Sequence, residues 1–106
     1  MSMIVRRDGP APQLLPEIAR LKRLVADMEA IAAGRHPGRD VLDGAPLLNG
    51  WTLSLQTEPC LTGVVEGHPE IADLRPAVTS GLWVLAPELG YARTLNRFYA
   101  LGLAAG

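Results

Sequence analysis

Residues 82–101, LWVLAPELGYARTLNRFYAL, decide the fold, because they support two different architectures. Leu82-Trp83-Val84-Leu85 completes a stretch from Ala77 that reads as a strand. Ala86-Pro87-Glu88-Leu89-Gly90 follows as a turn: Pro87 suits the first central turn position and Gly90 can take the positive φ of a bulged hairpin loop. The chain then returns as another strand from Tyr91. The same residues also fit a helix, since Tyr91, Leu95, Phe98 and Leu101 recur at steps of four, three and three. The tight turn after a strong strand favours the hairpin, with the C-terminal helix as the alternative.

Upstream, the apolar period is two. Trp51, Leu53 and Leu55 alternate with Thr52, Ser54 and Gln56, the pattern of a strand with one buried face. Glu58-Pro59 breaks it. Residues 60–66 (CLTGVVE) read as a second strand, antiparallel to the first across a short connection. Residues 67–76, from Gly67-His68-Pro69 to Arg75-Pro76, form a loop between two prolines.

The N-terminal third follows a different rule. Residues 8–16 hold three prolines and a glycine, which deny hydrogen bonds to a ladder or a helix, so 1–15 read as an irregular arm. From Pro16, the apolar residues Ile18, Leu21, Val25, Met28 and Ala32 alternate in steps of three and four, widened by Leu24 and Ile31. A helix over 16–33 follows, stopped by Gly34 and Pro37. This spacing suits packing on the protein's own sheet and also an intermolecular helix pair, although it lasts under three heptads. Glu17 with Arg20, and Arg23 with Asp27, are spaced for surface ion pairs. Residues 34–50, rich in glycine and proline, form a connector with one short helical turn capped by Asp40.

The expectation is therefore an α+β domain over 16–106. A long amphipathic helix (16–33) packs on a small antiparallel sheet of about four strands (51–102).

Composition narrows the function classes. At 106 residues with 48% hydrophobic content, the chain carries enough apolar surface to fold and to meet a partner, a second copy included. A formal net charge of -1 gives no overall footprint for nucleic acid or an anionic membrane. The charge is unevenly laid out, basic over 1–39, acidic over 40–90 and basic again to the end. Cys60 is the single cysteine, so no disulfide forms within the chain and a thiolate zinc site lacks partners. No apolar run reaches the length of a membrane span, and the N-terminus lacks the order of a secretory signal. A cytoplasmic setting is the simplest. The preference for arginine over lysine, with abundant Ala and Leu, suggests a GC-rich bacterial source.

The stretch Thr79-Ser80-Gly81-Leu82-Trp83-Val84-Leu85, then residues 90–102 (GYARTLNRFYALG), resembles a family of small bacterial proteins, a domain of unknown function. Gly67-His68-Pro69 and Ala45-Pro46-Leu47 extend the similarity over most of the chain. The resemblance implies a cytoplasmic accessory protein with no catalytic roles. By loose analogy, some small bacterial proteins of this kind travel on mobile elements and act as inhibitors or antiactivators.

Chemistry-bearing residues are sparse. His36, His68 and Cys60 each stand alone, and no Cys-x-x-Cys or His-Glu-x-x-His spacing occurs, so neither a metal nor another cofactor is expected. Cys60 reads as a small buried hydrophobe. Glu66, Glu70 and Asp73 read as solvated loop carboxylates. No nucleophile elbow, phosphate loop or dinucleotide fingerprint is present, so no enzyme activity is expected.

The informative cluster is Trp83, Tyr91, Arg93, Asn96, Arg97, Phe98 and Tyr99, which holds four of the five aromatic residues. Tyr, Trp and Arg are the usual anchors of binding surfaces. On a continuous strand over 91–99, Tyr91, Arg93, Leu95, Arg97 and Tyr99 would share one face. The plain alternative is cross-strand packing, with the arginines paired to Glu88 or Glu66. The leading expectation is a protein-interaction or regulatory module of inhibitor or adaptor type, anchored by Trp83, Tyr91, Arg93, Asn96, Arg97 and Tyr99. The second is a nucleic-acid binder that joins Arg6, Arg7, Arg20, Lys22 and Arg23 to Arg93 and Arg97 as a phosphate-facing patch.

Overall fold

A computed structural model describes residues 3–105. The chain is α+β. It divides into two compact units, Pro12–Leu55 and the pair of segments Met1–Ala11 and Gln56–Gly106.

The first unit is helical. A 3-10 turn over Pro12–Leu14 leads into α1, Leu15–Ala32, with proline in its first turn where the missing N–H costs nothing. Gly34, at φ 85°, ends α1 in a Schellman motif. Its N–H donates to the Ile31 carbonyl at 2.9 Å and the Arg35 N–H reaches the Ala30 carbonyl at 2.8 Å. A short second helix, α2, spans Arg39–Asp43. No residue of α1 is buried.

Trp51, Leu53 and Leu55 correct the expected strand at 51–56. They pair with nothing in a ladder and are 75%, 90% and 92% exposed. An alternating pattern makes a strand only where a partner supplies its hydrogen bonds.

The second unit is the β part. β2 (Thr62–Val65) pairs antiparallel with β3 (Arg75–Val78), so the expected second strand exists but takes a different partner. Pro76 sits in this ladder opposite Val64, which a two-stranded sheet of edge strands tolerates. The loop between them is tied inward. The Asp73 carboxylate accepts the Gly67 N–H at 2.8 Å, and His68 Nδ1 accepts the N–H groups of Glu70 and Ile71 at 3.0 and 3.1 Å.

The expected third strand over 77–85 is two strands. The break comes at Thr79: its N–H still reaches the Leu61 carbonyl in the β2–β3 register, but the Leu61 N–H returns to the Thr79 hydroxyl oxygen and that hydroxyl donates to the Ser80 carbonyl, so side-chain bonds end the pairing with β2 there. β4 (Leu82–Ala86) then pairs antiparallel with β5 (Tyr91–Thr94), and β5 with β6 (Phe98–Ala100). The turn between β4 and β5 is the expected one. Pro87–Leu89 makes a 3-10 turn with Gly90 at φ 82°, and the chain returns as strands over Tyr91–Thr94 and Phe98–Ala100 rather than as a helix.

The arm over 1–15 is not wholly irregular. Met3–Ile4 forms β1, parallel to β4, so the four-stranded sheet is mixed, in the order β1-β4-β5-β6. A two-residue strand leaves no periodicity to read. Met1 and Ser2 of the arm, and Gly106 of the expected domain, lie outside the described residues. The core of the β unit gathers on this sheet, where Val5, Leu82, Ala86, Ala92 and Thr94 are buried.

Candidate functional site

The aromatic and arginine cluster falls on β4, β5, β6 and the turn between the last two, but the sheet divides it. β5 and β6 are antiparallel neighbours rather than one strand, with Tyr91 opposite Ala100, Ala92 opposite Tyr99 and Arg93 opposite Phe98. Side chains directly opposite one another share a face, and neighbours along a strand do not. Tyr91, Arg93 and Phe98 therefore share one face. Tyr99 leaves it, which corrects the expected arrangement of 91–99.

The contacts agree with the register. The Arg93 guanidinium carbon lies 5.1 Å from the Phe98 ring centroid, within cation–π reach. Tyr91 meets the same ring edge-on, with centroids 5.9 Å apart and planes at 72°. Phe98 is the hub of the group, yet 67% of its surface stays exposed. Its role follows only from the turn at 95–97, which no hydrophobic period reveals. On the other face, the Tyr99 ring lies 6.2 Å from the His68 ring and helps seat the β2–β3 loop.

Trp83, half-buried, is the extra residue of a bulge, since Leu82 faces Thr94 while Val84 faces Arg93. Asn96 is exposed at the turn and its N–H donates to Ser80 Oγ at 3.3 Å. Arg97 is half-buried, and its backbone closes the turn on Thr94.

The residues of the nucleic-acid reading are distributed over both units. Arg6 and Arg7 belong to the β unit, and Arg20, Lys22 and Arg23 lie on α1. Two of them face carboxylates: Arg6 lies 3.7 Å from Glu88 and Arg20 2.6 Å from Glu17. Among the described residues, Glu88 is thus the partner of Arg6 rather than of Arg93 or Arg97.

Cys60 is exposed, not buried as expected, because it lies outside any ladder between Pro59 and Leu61. Those two neighbours hold the segment in place, the Pro59 carbonyl taking the Leu82 N–H and the Leu61 N–H reaching Thr79 Oγ1. Asp73 and His68 serve the loop described above. No helix among the described residues is long and apolar enough to cross a membrane.

Comparison of the chain with family models, with curated proteins and with solved structures finds no match. The function is therefore read from the geometry of this face.

Proposed function

We propose that the chain is a small protein-interaction or regulatory module of inhibitor or adaptor type, without enzymatic activity, acting in the cytoplasm. One observation carries the reading: Arg93 stacks over a largely exposed Phe98 that Tyr91 holds edge-on. An arginine laid on an aromatic ring is already ordered, so it loses little side-chain freedom when a partner covers it. Arginine and aromatic side chains on a rigid sheet are the composition of an interface hot spot. The nucleic-acid alternative has weaker support, because Arg6 and Arg20 are already directed to Glu88 and Glu17.

Capture from nuclease-treated lysate of the source, with wild type and the Arg93→Ala/Phe98→Ala variant side by side, tests it. The proposal expects one stoichiometric protein retained by wild type and lost by the folded variant. Recovery of nucleic acid in untreated lysate, with no protein partner, contradicts it.

A further inference from the structure

Lys22 and Glu29 lie along one shallow groove on α1, together with Ile18, Leu21, Val25 and Ala26. The groove thus carries a cation toward one end and an anion toward the other. Neither side chain has an ion-pair partner among the described residues. Val25 within it and Leu24, Met28 and Ile31 beside it are exposed.

The three-and-four spacing places Ile18, Val25 and Ala32 at the first apolar position of a heptad and Leu21 and Met28 at the second. Lys22 and Glu29 then flank the seam on one side, Leu24 and Ile31 on the other. We propose that this face of α1 pairs with α1 of a second copy of the chain, antiparallel about a two-fold axis. Val25 packs on Met28 of the other copy and Leu21 on its Ala32, with the reciprocal contacts generated by symmetry. In that register, positions on the same flank of the two helices meet. Lys22 faces Glu29 of the other copy twice, and Leu24 faces Ile31 twice, so one flank is charge-complementary and the other apolar.

A parallel pair is a poorer fit. It sets Leu24 against Glu29 and asks Glu17 to bridge to Lys22 of the other copy, although Glu17 already receives the Arg20 guanidinium at 2.6 Å. The antiparallel seam is independent of the sheet face proposed above, so either can fail alone.

Sedimentation of the full-length chain over a concentration series tests the inference, with Lys22→Glu, Glu29→Lys and the double exchange as variants. Lysine and glutamate have similar helix propensity, and far-UV circular dichroism confirms that each variant keeps its helix. The expected result is a reversible dimer whose dissociation constant rises about tenfold in each single variant and returns to near the wild-type value in the double exchange. Lys22 is the only lysine, so a zero-length carbodiimide cross-link in the dimer band is expected to join Lys22 to Glu29. Within one helix these two residues are about 10 Å apart along the axis, too far for such a link. A monomer throughout, a dimer indifferent to the charge exchange, or a link from Lys22 to Glu17 overturns the proposal.

Discussion

Thr94 holds Arg97 by three hydrogen bonds. Its N–H donates to the Arg97 carbonyl at 2.9 Å, its hydroxyl donates to the same oxygen at 3.2 Å, and the hydroxyl oxygen receives the Arg97 N–H at 3.4 Å. Thr94 is 1% exposed while Arg97 is half-buried, so these bonds are partly shielded from water. They divide 91–100 into β5 and β6, and so bring Phe98 beside Arg93.

Replacing Thr94 with valine keeps the volume and removes the hydroxyl. Because the two hydroxyl bonds are long, the expected loss is about 1 kcal/mol, read as a lower urea midpoint. Thr94→Ser retains the hydroxyl and is expected to keep the turn, losing only the methyl packing. An unchanged midpoint in Thr94→Val would show that the backbone bond alone suffices.

Gly90 and Gly63 both have open space where a Cβ would go, but Gly90 sits at φ 82°. Alanine is expected to cost about 1 to 2 kcal/mol at Gly90, from left-handed strain alone, and close to nothing at Gly63. Denaturation of the two variants side by side checks this, and equal losses would contradict the hairpin geometry.

Leu74 is the only non-glycine residue at positive φ among the described residues, at 64°, and its side chain is exposed. Asparagine accepts this conformation more readily, so Leu74→Asn is expected to raise stability by up to about 1 kcal/mol. A lower melting temperature would mean that the leucine side chain contributes packing that outweighs the strain.

A hydrogen bond from Arg20, with its positive charge, holds the Glu17 carboxyl below its ordinary range. A carboxyl depressed in the folded state contributes stability above its ordinary value and loses it as pH falls through the depressed one. Helicity is therefore expected to fall as acid protonates Glu17, and Glu17→Gln to show a smaller acid-dependent loss. Circular dichroism at 222 nm across the acidic range reads the difference. Identical profiles would remove Glu17 from the acid response.

The parts of the fold legible in the sequence are those fixed by local chemistry. The spacing from Ile18 to Ala32, with Pro16 before it and Gly34 after it, marks α1 to within a residue at each end. Pro87 and Gly90 mark the β4–β5 turn for the same reason. What stayed hidden depends on pairing: Trp51, Leu53 and Leu55 alternate without a partner, and β2 joins β3 because the 66–74 loop folds back on His68 and Asp73. The candidate site was legible as a composition, since Tyr91, Arg93 and Phe98 belong to the cluster read from sequence. Its geometry was not, because Thr94 and Thr79 interrupt strands through side-chain bonds to the backbone that leave no hydrophobic signature.

The most direct test of the binding role compares the affinity of the captured partner for wild type, Arg93→Ala/Phe98→Ala and Tyr99→Ala, each shown to be folded. The two substitution sites lie on opposite faces of the same sheet. An affinity loss of about tenfold or more is expected for the double variant, with Tyr99→Ala close to wild type. Equal losses, or a larger loss in Tyr99→Ala, would contradict the assignment of the Tyr91, Arg93 and Phe98 face as the partner surface.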